Sequence, residues 1–168
     1  MKMNILIKLA LLSTLTTVPG MTAAQGAHPA EPWFSVTIST PKAVVTVGSD
    51  IKLKVVFVNN TEQDIRYPGA GGPGRTGPVF DIDIRDSGGK PALETPYGLK
   101  MHGKDTREWR GGSVFGGTAH PGNKIEEELI LSKEYDMSKP GDYTVQVLER
   151  NPKFQAVKSN SITITVVP

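Results

Sequence analysis

The stretch LSKEYDMSKPGDYTVQV, residues 131–147, decides the fold of this chain of 168 residues. Pro140 and Gly141 come directly before a segment in which Tyr143, Val145 and further apolar residues alternate with polar ones. Strict alternation is typical of a β-strand with one buried face, and a Pro-Gly pair is typical of a turn. The stretch therefore predicts a strand that enters a sheet from a tight turn.

The same alternation of apolar and polar residues runs through most of the chain. It predicts strands at residues 33–40, 43–47, 51–58, 65–67, 79–86, 124–131, 142–150 and 161–167. Seven or eight short strands separated by turn residues, with no long helical pattern, predict an all-β fold. We expect two antiparallel sheets that pack their apolar faces together as a sandwich.

Three segments fit this pattern less well. Pro41 interrupts the first strand, as is typical of an edge strand that can spare a backbone donor. Residues 93–101 are ambiguous, and we expect one short strand there at most. Glu127 falls on the apolar face of its strand, so we expect its carboxylate at the rim of the sandwich.

Residues 136–145, DMSKPGDYTV, resemble the corner that precedes the sixth strand of immunoglobulin-like domains. Val145 takes the place of the second core Cys of antibody domains, and Tyr67 is the one candidate for their core Trp. Together with TVGSDIKLKVVFVNNTEQDI, residues 46–65, the pattern is similar to the disulfide-free bacterial immunoglobulin-like domains. Its layout also resembles BsuPI-type proteinase-inhibitor domains and macroglobulin-like modules.

This resemblance covers residues 33–167 and implies an immunoglobulin-like antiparallel sandwich that serves as a binding or spacer module. It implies that Pro140, Gly141 and Tyr143 form a structural corner, in which the Tyr hydroxyl bonds to the backbone just upstream. A sandwich of this kind supports many functions, so the resemblance indicates the fold better than the activity.

The N-terminal segment is typical of a secretory signal peptide. Lys2 and Lys8 precede an apolar run, which ends at Pro19-Gly20 and is followed by small residues. We expect a signal peptide at residues 1–24, with cleavage after Ala24 or, alternatively, after Gly26 or Ala27.

We then expect a flexible mature N-terminus at residues 25–32 and one immunoglobulin-like domain at residues 33–168. The apolar run is too short to span a bilayer, and no Cys follows it for lipid attachment. The protein is therefore expected in the periplasm or outside the cell, without a membrane span in the mature chain.

Charge and cysteine content exclude several classes of function. The chain has 19 Lys and Arg against 17 Asp and Glu, and loss of Lys2 and Lys8 leaves 17 against 17. A neutral mature chain argues against nucleic-acid binding, which requires a basic surface. The absence of Cys excludes disulfides and thiol catalysis. We expect no cofactor and no metal.

Loop 102–123 is the expected binding surface, because loops of this length are uncommon in small domains and often functional. It contains the candidate contact residues Arg107, Trp109, Arg110 and Phe115. The Gly-Pro loop at residues 68–78 would assist. The expected function is a non-catalytic binding or accessory module, whose partner is a protein or an envelope component.

Two alternative functions remain open. The first is a proteinase inhibitor that acts by loop insertion. The second is a copper-handling protein or a hydrolase that uses His102 and His120, since imidazoles suit copper and can serve as general bases. Further side chains considered with these two for metal or catalytic sites are Met101, Met137, Asp105 and Ser113, together with a possible calcium set of Asp81, Asp83 and Asp86. Asn59-Asn60-Thr61 also matches a glycosylation acceptor.

Overall fold

The structure, a computed structural model, describes residues 32–69, 77–104, 116–149 and 156–168. The expected signal peptide and most of the expected flexible N-terminus lie outside these ranges. The elements within them are β1 (Phe34–Ser39), β2 (Val44–Thr46), β3 (Lys52–Asn59), β4 (Ile65–Tyr67), β5 (Phe80–Asp86), α1 (Pro96–Met101), β6 (Gly117–Ala119), β7 (Lys124–Ile130), α2 (Leu131–Glu134), β8 (Gly141–Glu149), β9 (Val157–Lys158) and β10 (Ile162–Val167).

These strands form two main sheets, and the predicted all-β sandwich is confirmed. One sheet has the order β1-β3-β7, and the other has the order β2-β10-β8-β5, with β9 also paired to β8. A separate two-stranded sheet joins β4 to β6. All pairings among these strands are antiparallel except that of β2 with β10. The described strands are more numerous than the expected seven or eight because short strands such as β6 and β9 carry too few residues for a visible pattern.

The first predicted strand divides at Pro41 into strands of different sheets. β1 pairs with β3 in one sheet, whereas β2 pairs with β10 in the other. Asn160 ties the two sheets together at this edge. Its Oδ1 accepts from the Ile38 amide at 2.8 Å, and its Nδ2 donates to the Ile38 carbonyl at 3.0 Å. The side chain therefore takes the place of a neighbouring strand for one residue of β1.

The apolar residues of each strand meet between the sheets. Phe57 of β3 and Phe80 of β5 have ring centroids 5.5 Å apart, so aromatic side chains of both sheets touch in the core. The buried apolar residues are Trp33, Phe34, Val36, Ile38, Val45, Ile51, Leu53, Val55, Phe57, Ile65, Phe80, Ile84, Ala119, Leu129, Leu131, Tyr135, Met137, Tyr143, Val145, Val147, Val157, Ile164 and Val166. Burial of this set holds the fold without disulfides, since each large apolar side chain contributes about 1.5–3 kcal/mol.

The corner before β8 is built from the residues that the resemblance singles out. Gly141 has a φ of 144°, which residues with a side chain rarely adopt. Tyr143 is 5% exposed, and its hydroxyl donates to the Lys139 carbonyl at 2.9 Å. The bond joins the first inward residue of β8 to the turn, as in the corner of immunoglobulin-like domains.

Removing this hydroxyl is expected to have a modest effect. Tyr143→Phe should lower the free energy of unfolding by about 1 kcal/mol, because one hydrogen bond is lost while the ring stays packed. Urea denaturation checks this. Tyr97→Phe is the control, because Tyr97 is half exposed on α1 and should leave the midpoint unchanged. Equal midpoints for wild type and Tyr143→Phe would show that the bond is energetically neutral.

The ambiguous segment before residue 101 is a short helix rather than a strand. Thr95 caps α1 by accepting from the Gly98 amide at 3.0 Å, and Pro96 occupies the first turn. Both are typical helix-start residues. α2 begins at Leu131, which the alternating pattern predicts as the last residue of the strand at residues 124–131. Within the described ranges, no helix has the length and hydropathy needed to cross a membrane.

Candidate functional site

A cleft of about 750 Å³ lies between β5 and the chain that runs from Pro91 to Lys104. β5 is the last strand of its sheet, and only its C-terminal half is paired to this segment, through the Ala92 amide and the Ile84 carbonyl at 2.9 Å. The segment then turns away into α1. This divergence leaves a cleft, here called the β5 cleft, which is lined by Gly69, residues 79–84, residues 91–94, residues 101–104 and Tyr135.

The wall of the β5 cleft is positioned by contacts between α1 and α2. The Thr95 amide donates to the Glu134 carbonyl at 2.9 Å, and the Thr95 hydroxyl donates to the Lys133 carbonyl at 2.5 Å. Gly98 lies directly against the Glu134 carbonyl, where a Cβ would overlap that oxygen. The N-terminal end of α1 is thus held by backbone contacts that only a Gly at this position permits.

The C-terminal end of α1 is held by a partly buried histidine between two carboxylates. His102 caps the helix, and its Nδ1 lies 2.6 Å from Glu94 Oε1 while its Nε2 lies 3.1 Å from Glu134 Oε2. The Lys104 ammonium also contacts Glu94 Oε1, at 2.8 Å. The side chains of His102 and Glu94 are about one-seventh exposed and that of Glu134 is 5% exposed. We call Glu94, His102 and Glu134 the His102 cluster.

These contacts favour the charged imidazole. The hydrogen bond to Glu134 raises the pKa of His102 against the opposing effect of burial, and the bond to Glu94 adds to the increase. Burial alone would raise the pKa of Glu94, but the hydrogen bonds from Lys104 and His102 outweigh it and the pKa is lowered. With both carboxylates ionised, each ring nitrogen donates a proton, so His102 is an imidazolium at mildly acidic pH.

An imidazolium with both nitrogens engaged joins segments rather than doing chemistry. It has no lone pair to accept a substrate proton or to bind a metal. Tyr135 covers one side of the ring, with centroids 5.6 Å apart. His102 therefore fastens α1 to α2, and the copper or hydrolase role expected of it would require this arrangement to break.

His120 occupies a different part of the surface. Its Nδ1 lies 2.7 Å from Asp64 Oδ1, and both side chains are more than half exposed. It lines a separate hollow with Trp33, Arg66 and neighbouring residues, none of which line the β5 cleft. The structure thus does not bring His102 and His120 into one site, contrary to the arrangement that a joint copper or hydrolase site needs.

The loop expected at residues 102–123 is only partly a loop. It starts at the end of α1 and includes β6, which pairs with β4. The expected contact residues Arg107, Trp109, Arg110 and Phe115 lie outside the described residues, as do Asp105 and Ser113. Residues 102–104, at the start of the loop, line the β5 cleft.

The other candidate ligand sets are not assembled as metal sites. Asp83 Oδ2 bonds to the Arg85 guanidinium at 2.9 Å, and Asp86 Oδ1 caps the following turn by accepting two backbone amides. Met137 is buried. Within the described residues, no group of three His, Asp or Glu side chains is arranged to hold a metal ion.

Asn59 is built into the core rather than presented for glycosylation. It is 1% exposed, and its Nδ2 donates to the carbonyls of Gln63 at 2.8 Å and Ala119 at 2.9 Å. Its Oδ1 accepts from the amide and the hydroxyl of Thr61, both at 2.8 Å. In the folded domain this side chain is fully bonded and inaccessible to a glycosyltransferase.

Two glutamates face the interior of the sandwich. Glu127, expected at the rim, is 6% exposed and its Oε1 accepts from the Gly77 amide. Glu149 is 2% exposed at the end of β8, on the same face as Val145 and Val147. Within the described residues, Glu149 Oε2 has no hydrogen-bond partner, and burial raises the pKa of this carboxyl to about 7.

No protein family matches the sequence, and no curated protein matches it significantly. Among solved structures, it is similar to a CARDB domain from Pyrococcus furiosus, described in complex with di-metal ions. This likeness has 12% identity and a TM-score of 0.41 and covers 81% of this chain and 94% of that one. A β-glucosidase from Erythrobacter marinus also has 12% identity and a TM-score of 0.41, over 80% of this chain but 15% of the enzyme.

A third similar structure is BslA, a bacterial hydrophobin, with 13% identity and a TM-score of 0.35 over 80% of this chain and 95% of that one. At such identities the function has to be inferred from the residues of this chain.

Proposed function

We propose that the protein is an exported, non-catalytic binding module that holds a protein or another envelope component in the β5 cleft. The observation that carries this proposal is the cleft itself, where a strand at the edge of a sheet diverges from the chain beside it. Clefts of several hundred Å³ with apolar walls and a few polar groups are the usual binding sites of small domains.

The rim of the cleft supports the proposal. Leu93 is 68% exposed and Val79 is 40% exposed, and both line the cleft. Tyr97, half exposed, follows close in sequence on α1. Exposed apolar side chains around a concave site favour association, because their contact with a partner removes apolar surface from water.

The chemistry of the cleft supports binding rather than catalysis. His102 has both nitrogens engaged by carboxylates, and Glu94 is neutralised by Lys104 and His102. Tyr135, the other polar ring here, donates its hydroxyl to the Ile82 carbonyl at 3.3 Å. The polar groups of His102, Glu94 and Tyr135 are thus engaged with their neighbours, which favours a role in orienting a partner over a role as nucleophile or base.

Site-specific photo-crosslinking tests this function. A diazirine amino acid at Leu93 should capture a discrete partner in the envelope fraction of the source organism, because this side chain stands at the rim of the cleft. The same amino acid at Val44 is the matched control. Val44 is 60% exposed on β2 and does not line the cleft.

Capture of the same set of proteins from both positions would contradict the proposal, since it would reflect non-specific contact with exposed apolar residues. Leu93→Asp added as an unlabelled competitor should compete less well than the wild type for the captured partner. Equal competition would place the contact elsewhere on the domain.

A further inference from the structure

We propose that protonation of His102 is a latch that fixes the C-terminal end of α1 and so regulates binding in the β5 cleft. The regulatory consequence rests on the proposed function, whereas the latch itself is a property of the free domain. Three side chains from three parts of the chain carry the inference: the partly buried Glu94 before α1 and His102 at its end, and the buried Glu134 at the end of α2.

The two ends of α1 are held by contacts of different kinds. At the N-terminal end, Thr95 bonds to the carbonyls of Lys133 and Glu134, and Gly98 packs against the backbone of Glu134. None of these groups titrates in the physiological range. At the C-terminal end, the side-chain contacts of His102 with Glu94 and Glu134 depend on a group that does titrate there.

Loss of one proton from His102 breaks the contact with Glu134 that holds the C-terminal end of α1. A neutral imidazole has a single N–H, so it can donate to one carboxylate only. The shorter bond, to Glu94 at 2.6 Å, is the one we expect to be retained. The lone pair of Nε2 then faces Glu134 Oε2, and this repulsion favours separation of the C-terminal end of α1 from α2.

The groups around the imidazole ring determine how strongly its charged form is favoured over its neutral form. Glu94 and Glu134 face the two nitrogens, Lys104 contacts Glu94 from the segment after α1, and the phenol ring of Tyr135 lies over the imidazole. Asp81 and Asp83 of β5 also line the cleft, and Asp83 is paired there with the Arg85 guanidinium. Loss of the imidazolium charge removes the cation that lies between the two carboxylates, so deprotonation of His102 weakens the His102 cluster.

Release of the latch changes the cleft because its wall includes the last residue of α1 and the residues that follow the helix. Met101, His102, Gly103 and Lys104 all line the β5 cleft. A fixed wall binds with less loss of conformational entropy than a loose one. The partner is therefore bound more tightly while His102 is protonated and less tightly once the pH passes the point at which the imidazole loses its charge.

Mobility of α1 tests the latch without any partner. The chain has no Cys, so Leu99→Cys creates a single thiol for a nitroxide label on α1, and Val44→Cys creates a matched control on β2. As the pH rises through the titration of His102 followed by NMR, the mobile fraction of the Leu99 label should increase about twofold or more. The Val44 label should not change.

The variant Glu134→Gln separates the latch from other effects of pH. Its amide can donate to the neutral ring or accept from the charged one, so the contact persists in both states. The increase in Leu99 label mobility should be much smaller in this background. Three results would each contradict the latch. The mobility of the Leu99 label could stay constant across the His102 titration, the Val44 label could change equally, or the domain could unfold before His102 titrates.

Crosslinking from Leu93 at about one pH unit on either side of the His102 titration tests the regulation. The yield should fall severalfold at the higher pH in the wild type and change less in Glu134→Gln. A crosslinking yield that does not depend on the protonation state of His102 would contradict the proposed regulation but not the latch or the binding function. Absence of any specific crosslink would reject the binding function and its regulation together, while the mobility result would still decide the latch.

Discussion

Asn59→Asp should destabilise the domain by about 3–5 kcal/mol at neutral pH, an unusually large effect for a change of one atom. The Nδ2 of Asn59 donates to the carbonyls of Gln63 and Ala119, and an Asp carboxylate would instead place a charged oxygen against both. The position is 1% exposed, so water cannot screen this repulsion. The buried Ala119 carbonyl would also lose the Asn59 amide as a donor.

The loss should be smaller under acidic conditions. Burial against two carbonyls raises the pKa of the introduced carboxyl in the folded state, so the penalty is present at neutral pH and decreases as the pH falls through that raised value. Urea denaturation at two pH values measures it. Asn60→Asp, at the exposed neighbour, is the control and should change stability by less than about 0.5 kcal/mol. Equal stabilities for the two variants would contradict the role assigned to the Asn59 side chain.

The main strands could be predicted from the sequence because their apolar residues repeat with period two. In β3, for example, Leu53, Val55 and Phe57 are fully buried while Lys52 and Lys54 are exposed. The alternation directly indicates which face of the strand packs against the core. The assignment of each strand to a sheet is different, because it depends on contacts between distant segments. The crossing of the chain at Pro41, from one sheet to the other, carries no signal beyond the Pro itself.

The short helix α1 was predictable in part. Thr95 followed by Pro96 is a helix-start signal, but six residues are too few for an apolar period to appear. The wall of the β5 cleft therefore could not be predicted from patterning alone. Its geometry depends on the close approach of Gly98 to Glu134, which is 36 positions later in the sequence.

The His102 cluster shows why the candidate site was only half predictable. His102 stands out in the sequence because the chain has three His residues. Its partners Glu94 and Glu134 lie eight and 32 positions away, and neither has a spacing that indicates a contact. The inward direction of Glu149 does follow from alternation with Tyr143, Val145 and Val147. Alternation does not show that Glu149 Oε2 has no hydrogen-bond partner among the described residues.

Glu149→Gln should stabilise the domain by about 3 kcal/mol at pH 8, the opposite of the usual effect of a substitution in a core. Burial raises the pKa of Glu149 from 4.5 to about 7, and the residue is only 2% exposed. The folded state therefore binds this proton more tightly than the unfolded chain does. The contribution of Glu149 to stability is greatest below the pKa that this carboxyl has in the unfolded chain, and it is lost as the pH rises to about 7. A Gln side chain does not titrate, so the variant avoids this loss.

The decisive measurement is the free energy of unfolding of both proteins at pH 5 and pH 8. The wild type should lose stability over this interval, and His102, whose pKa is also raised, adds to that loss in the same direction. The Glu149→Gln variant should show only the part of this loss of stability that is due to His102. The free energies of unfolding of the two proteins should therefore be closely similar at pH 5 and differ most at pH 8.

Glu128→Gln is the matched control, because Glu128 is exposed and paired with Lys52 at 3.0 Å, a contact worth less than about 1 kcal/mol. A constant difference between wild type and Glu149→Gln at both pH values would mean that the Glu149 carboxylate stays ionised throughout, and hence that a cation or donor compensates it inside the sandwich.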